Sequence, residues 1–373
     1  MDQERIQPFQ DMQVWDGVSG ARIEFNWPYQ PNVGTIAWMS ENANLVKALL
    51  RKVREHGDVS VFDKARVSDI SFGPEPVEAD GLNLSSWPQV TLADNTTLAA
   101  RLLIGADGAN SPVRTFAGIP AQGWDYGRHA VVATLRLENE PDSYRTAFQR
   151  FLPTGPVALL PLPGPYMTLV WSTLPERAAH LKSLQSDDFI AMVNAAFRVS
   201  PVDLSYMHGV PSGQAGEFQW REQHVPRQRE EVDIPGRIVG VQEGSIAAFP
   251  LRMRHADTYI GARVALIGDA AHVVHPQAGQ GLNMGLADSG ALAKTIDYAV
   301  RHGQDVGDQL SLESYNAAQY EPNHRLLGVV DKLHKLYSYG SGPVVTLRSL
   351  GLEAVNAIEP LKEFLMRQAS GVR

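Results

Sequence analysis

The chain has 373 residues, 44% of them apolar and 20% charged, enough to bury a substantial core in one or two domains and unlike a disordered segment. A formal charge of −8, from 33 Lys and Arg against 41 Asp and Glu, argues against a nucleic-acid partner. With no cysteine, the chain forms no disulfide, thiolate metal site, iron–sulfur centre or cysteine nucleophile. Met1-Asp2-Gln3-Glu4-Arg5 reads as neither a signal peptide nor an Arg-rich presequence. No apolar run approaches the roughly eighteen residues of a membrane span, so any membrane contact is expected from the surface.

In chain order, Met12–Trp15 and Arg22–Phe25 alternate in period two around Asp16-Gly17 and Ser19-Gly20, the pattern of a hairpin, which Pro28, Pro31 and Asn32 then interrupt. Ser40–Ala43 is placed to cap a helix through Leu45, Leu49 and Val53 that ends at Gly57. Val59–Val67 reads as a strand and 71–88 as a surface loop rich in Gly and Pro. Val90–Leu92 and Thr97–Ala100 flank Asp94-Asn95 as a second hairpin. From His129 to Thr173 the spacing predicts four antiparallel strands, His129–Leu137, Ala147–Leu152, Pro156–Leu162 and Tyr166–Trp171, forming a wall of a substrate chamber. Asp187–Phe197 reads as a helix, and Arg221–Glu231 as a solvated loop. Helices are expected after Gly285 to Gly303, over Leu312–Leu336 with Pro322 kinking or dividing it, and over Val344–Leu365, broken by Pro360.

Two stretches carry chemistry. Arg263–His272 is a short apolar run ending in Gly268-Asp269, followed by Pro276 and by glycines at 279, 281 and 285. A carboxylate at the tip of a buried parallel strand accepts hydrogen bonds from sugar-like hydroxyls. Glycines at a helix start bring backbone N–H groups close to an anion or an electron-rich ring edge. The second stretch, Arg101–Arg114, is a buried strand, an Asp107-Gly108 turn and a helix start at Ser111-Pro112, with Asp107 and Arg114 in one charged loop. No HExxH, closed zinc set or GxSxG elbow occurs, and no metal is expected. His272 and His275 lack carboxylate or thiolate neighbours at metal-ligand spacing, and His272 reads as a hydrogen-bonding residue behind a cofactor.

The Gly268-Asp269 stretch resembles the second cofactor motif of the para-hydroxybenzoate hydroxylase-like monooxygenases that bind FAD, and Asp107-Gly108 resembles their "DG" motif. Phe151–Leu162, Leu169–Thr173, Gly261–Gly285 and the helical tail resemble, more narrowly, the eukaryotic ubiquinone-biosynthesis monooxygenases of the Coq6 family, and the similarity runs across nearly the whole chain. The resemblance implies an α/β fold of the hydroxylase type. Residues 1–128 would be the remainder of the FAD-binding domain with interleaved substrate-domain strands, and 129–250 a mostly antiparallel substrate domain. Residues 251–305 would return to the FAD-binding domain, and 306–373 would form a C-terminal helical region. It implies FAD as cofactor, with Asp269 on the ribitol chain, Gly281, Leu282 and Asn283 against the isoalloxazine, and Pro276 and Gly279 shaping its pocket. Asp107 and Arg114 would lie near the dinucleotide. No acid–base residue is singled out.

The implied reaction is hydroxylation at C5 of a polyprenyl-phenol ring, at the matrix face of the mitochondrial inner membrane as a peripheral protein. Electrons would come through ferredoxin and ferredoxin reductase, and other ubiquinone-biosynthesis proteins would share a complex. The competing expectations are an NADPH-dependent flavin hydroxylase of another phenol and a non-catalytic remnant that binds the complex. One family feature has no counterpart: no GxGxxG turn for the ADP half of FAD occurs in the sequence. The chain is therefore expected to be N-terminally truncated and, alone, to bind FAD weakly or not at all.

Overall fold

The computed structural model describes residues 1–26, 35–74, 83–138, 146–225, 234–276 and 279–358. The turn expected at Pro28, Pro31 and Asn32, the centre of the 71–88 loop, the second half of Arg221–Glu231 and the break at Pro360 lie outside the described residues. The chain forms two compact units, one of residues 1–59, 127–250 and 333–373, the other of residues 60–126 and 251–332.

In chain order the first segment carries strands β1 (Ile6–Phe9), β2 (Asp11–Asp16), β3 (Arg22–Asn26) and β4 (Ala37–Ser40), then helix α1 (Asn42–Glu55). The next carries β5 (Val67–Phe72), β6 (Pro88–Leu92), β7 (Thr97–Ala99), β8 (Leu103–Gly105) and α2 (Pro112–Phe116). Strand β9 (Ala121–Leu137) runs from the second unit into the first, where β10 (Thr146–Leu152), β11 (Gly155–Pro161) and β12 (Tyr166–Thr173) follow. Helices α3 (Pro175–Ser183), α4 (Ser186–Arg198), α5 (Pro201–Gly209) and α6 (Gln214–His224) precede β13 (Ile238–Val241) and β14 (Ala247–Ala256). The chain ends through β15 (Ile260–Gly261), β16 (Val264–Leu266), β17 (His272–Val273), α7 (Gly281–Arg301), α8 (Gln309–Tyr337) and α9 (Pro343–Ala357).

The first unit is built on a sheet in the order β9-β12-β11-β10-β2-β3, with β13 also paired to β9. The four strands predicted between His129 and Thr173 are antiparallel neighbours as expected, and the β2–β3 hairpin joins them through a parallel β2–β10 pair. Period-two alternation sorts side chains onto the two faces. Trp15, Leu135, Leu159 and Trp171 bury one face against Phe189, Met192 and Phe197 of α4. Val14, Ile23 and Phe151 bury the other with Tyr337, Leu352 and Val355. Between these layers Arg348 of α9 meets Asp16 in a fully enclosed ion pair.

The second unit holds an antiparallel β5-β6-β7 sheet and a sheet in the order β15-β16-β8, in which β16 and β8 are parallel. Its core gathers Val264, Ala265 and Leu266 with Tyr259, Leu292, Leu312 and Tyr315.

Four expectations change. Residues 59–66 form no strand: Lys64 adopts φ 57°, a left-handed turn, and pairing begins only at Val67. Arg221 is buried in α6, paired with Glu217 and Asp203, because α5 and α6 fold where the density of charge suggested a solvated loop. Helix α8 is continuous through Pro322, since packing of Leu327, Val330 and Tyr337 outweighs one missing backbone hydrogen bond. Strand β8 is not fully buried: it lies at the edge of its sheet, and Ile104 is 41% exposed.

Candidate functional site

The two motif loops meet because their strands are neighbours. Val264, Ala265 and Leu266 pair in parallel with Leu103, Ile104 and Gly105, and the ladder continues where the Ile267 N–H donates to the Gly105 carbonyl at 3.0 Å. The Asp107 loop and the Asp269 turn therefore both leave the carboxyl ends of adjacent parallel strands, the end at which open α/β sheets bind ligands.

Gly268 takes φ +58°, a left-handed conformation that favours glycine, and starts the single turn Gly268–Ala270 that leaves Asp269 exposed. Helix α7 passes close behind this turn, and a Cβ on Gly285 would stand 3.3 Å from the Gly268 Cα. The helix begins at Gly281, four residues earlier than the spacing predicts, and no side chain caps its start at Gln280. Its first amides have no partner within the helix and carry the positive end of its dipole. Gly281, Leu282 and Asn283 form that first turn, with Leu282 55% exposed. Gly279, at φ +60°, leads into it, and Pro276 is half-buried; Gln277 and Ala278 lie outside the described residues.

On the other loop, Asp107 Oδ2 accepts from the Val113 N–H at 3.1 Å while Ser111 Oγ accepts from the Arg114 N–H at 2.9 Å, so both side chains cap α2. Arg114 reaches across: Nη1 donates to the Ala270 carbonyl at 2.7 Å and Nη2 to the Ala109 carbonyl at 2.9 Å. Its guanidinium thus braces the two loops.

Behind the Asp269 turn lies a buried polar cluster. Asp288 of α7, fully buried, accepts from the Gly268 N–H at 2.9 Å and from Asn323 Nδ2 at 3.1 Å, and lies 2.6 Å from His272 Nε2. The Tyr315 hydroxyl donates to the Leu266 carbonyl at 2.6 Å. Beside the loop, the Tyr126 ring stands edge-on to buried His275 at 5.0 Å. Burial, and then the Asp331 carboxylate, hold the Tyr126 hydroxyl above its usual pKa of 10. His255 is pushed down to about 4 by burial and by neighbouring His324. Sequence reading found His272 but missed Asp288, Asn323 and Tyr126. The available signal for Asp288 was an acid among small residues in Gly285–Ala293, where no exposed partner is in reach.

This donor set fits the ribitol and isoalloxazine half of a flavin. An exposed carboxylate suits a polyhydroxyl chain, an uncapped helix start suits the electron-rich pyrimidine edge, and Gly285 lets α7 run close behind the turn that a Cβ there would crowd.

Comparison with known proteins agrees. Residues 32–321 match the model of a family described as "FAD binding domain". Ubiquinone biosynthesis monooxygenase COQ6, mitochondrial, from Schizosaccharomyces pombe is 40% identical over 97% of this chain and 75% of its own length. The proteins of the same name from Xenopus tropicalis and Homo sapiens are 41% and 39% identical, over 77% and 76% of their lengths. Among solved structures, p-nitrophenol 4-monooxygenase PnpA from Pseudomonas putida aligns with a TM-score of 0.67 at 14% identity, over all of this chain and 83% of its own. PqsL, a probable FAD-dependent monooxygenase from Pseudomonas aeruginosa, aligns at 0.64 and 20% identity, over 94% of this chain and 82% of its own. These similarities place the α/β architecture in the para-hydroxybenzoate hydroxylase-like fold.

Proposed function

The chain belongs to the COQ6 family of FAD-dependent monooxygenases of ubiquinone biosynthesis, and from that premise we propose that it hydroxylates C5 of the aromatic ring of a polyprenyl-phenol. The observation that carries the reading is the convergence of both cofactor motifs at the ends of β8 and β16, in a chain that matches the family along 97% of its length.

FAD, once reduced, activates dioxygen and delivers one oxygen atom to an electron-rich ring. The protein's share is to bind, orient and keep water out. Asp269 would hold the ribitol hydroxyls, the N–H groups of Gly281, Leu282 and Asn283 would face the pyrimidine edge, and Pro276 and Gly279 would set the loop between them. Asp107 and Arg114 support the site from the neighbouring loop, Arg114 by gripping Ala270 rather than by charge toward the cofactor. No side chain is assigned as an acid or base.

In the same reading the protein is mitochondrial, as the names of its relatives state for them, and works peripherally on the matrix side of the inner membrane. No helix among the described residues is long and apolar enough to cross a membrane. Ferredoxin and ferredoxin reductase would supply electrons, and other ubiquinone-biosynthesis proteins would be complex partners. The test supplies FAD, dioxygen and a polyprenyl-phenol with either reduced ferredoxin or NADPH, and reads the product by mass spectrometry. A ring-hydroxylated product with ferredoxin supports the proposal. Turnover of a soluble phenol with NADPH alone overturns it in favour of a different hydroxylase.

A further inference from the structure

We propose that Asp288 is a positioning residue for the flavin, acting through the Gly268–Ala271 turn rather than by touching the cofactor; the inference rests on the flavin-site reading above. Asp288 sits in the second turn of α7, and its carboxylate is the meeting point of three elements. One oxygen receives the Gly268 N–H at 2.9 Å and lies 2.6 Å from His272 Nε2; the other receives Asn323 Nδ2 of α8 at 3.1 Å. Gly268 and His272 bracket Asp269, so the clamp grips the turn on both sides of the exposed carboxylate. The turn is also held by the bond from the Ala271 N–H to the Gly268 carbonyl, by the Ala256 N–H on the Ala271 carbonyl at 2.8 Å and by the Arg114 brace on Ala270; the clamp is what ties it to α7 and α8.

The chemistry favours a fixed geometry. A carboxylate with no solvent exposure accepts charge-assisted bonds, which are shorter and stronger than neutral ones, and removing it deprives the Gly268 amide, His272 and Asn323 of their shared partner at once. Asn323 carries the tether into α8, so the place of Asp269 depends on a helix that supplies none of the expected cofactor contacts. Asparagine at 288 preserves most of this. Its oxygen can receive Gly268 and His272, and the Asn323 amide, turned over, can accept from the new NH2 group.

The test uses two readouts on the full chain: hydrogen exchange of the Gly268 amide without ligand, and riboflavin affinity by fluorescence quenching. Asp288→Ala is expected to accelerate Gly268 exchange and raise the riboflavin Kd by at least about tenfold each, the equivalent of one charge-assisted hydrogen bond. Asp288→Asn should stay within roughly fivefold of the original in both, as a neutral bond in the same place allows. The Leu266 N–H, bonded to the Tyr259 carbonyl at 2.8 Å, reports the local fold independently of the clamp. Equal loss of protection at Leu266 and Gly268 in Asp288→Ala makes the residue a general stabiliser and overturns the proposal, as does an unchanged riboflavin Kd.

If Asp288→Ala does not fold, Asn323→Ala removes only the tether and should change both readouts by at least about threefold; unchanged values overturn the proposal. Protected Gly268 in a chain that binds neither riboflavin nor FAD would refute the flavin-site reading while upholding the clamp.

Discussion

Replacing Arg348 by Met tests the ion pair that ties α9 to the sheet of the first unit. Arg348 Nε and Nη2 bond the two oxygens of Asp16 at 2.7 and 3.0 Å, and Nη1 donates to the Leu336 and Tyr339 carbonyls at 3.0 and 2.7 Å. Methionine keeps much of the apolar stem but leaves a fully buried carboxylate with only the Val18 N–H, at 2.9 Å, among its named partners. Removing one member of such a pair costs about 3–5 kcal/mol, because the remaining charge stays desolvated. The carbonyls of Leu336 in the last turn of α8 and of Tyr339 just beyond it also lose their donor. The assay is urea unfolding followed by tryptophan fluorescence, since Trp15 and Trp171 are buried in the first unit. Arg348→Met should lower the stability of that unit by about 3 kcal/mol or more, and adding Asp16→Asn should recover at least about 1 kcal/mol. A loss below about 1 kcal/mol, the range of an exposed pair, would refute the reasoning.

Other expectations are smaller in scope. Gly285→Val should destabilise the second unit by about 2 kcal/mol and weaken flavin binding, because its Cβ meets the Gly268 backbone at 3.3 Å. Gly290→Ala, on the same helix with nothing within 4 Å, should stabilise by about 0.5–1 kcal/mol; chemical denaturation of both variants checks the pair. His255 has a folded-state pKa of about 4 against an ordinary 6.5, so as pH falls the unfolded chain takes up this proton first. Its contribution is complete above pH 6.5 and is lost toward pH 4, on the order of 2 kcal/mol, and His255→Gln should flatten that slope in urea titrations. Finally, because the sequence has no GxGxxG turn to hold a pyrophosphate, this chain alone should bind FAD no more tightly than riboflavin. FAD retained stoichiometrically through purification, with riboflavin far weaker, would disprove this.

What was legible in the sequence was whatever depends on local pattern. The β2–β3 and β6–β7 hairpins, the four strands of the first unit and helices α1, α4 and α7 all follow from alternation, turn residues and glycine stops. The family motifs were equally plain, because Asp107 and Asp269 each follow a short apolar run directly. Tertiary choices were hidden. Arg221 looks solvated in a charged segment until α5 and α6 supply Asp203 and Glu217 around it. Arg114 reads only as a charge in a loop near the dinucleotide until the fold brings the Ala270 carbonyl within 2.7 Å of it. Asp288 stood out only as an acid among small residues, and its role stayed hidden because the Gly268 amide and Asn323 are 20 and 35 residues away along the chain.

The Arg114 brace also bears on exchanging parts between relatives. Its two terminal nitrogens hold the carbonyls of Ala109 and Ala270, residues from motifs on either side of the long excursion through the first unit. The loops are therefore joined as one structural piece. A chimaera that imports the Asp269 segment from one homologue and keeps the Asp107 segment of another must also match the length of side chain and the height of carbonyl that join them. Grafts that carry both segments together should fold and load flavin alike, whereas single-loop grafts should fail at this seam before any substrate contact is altered.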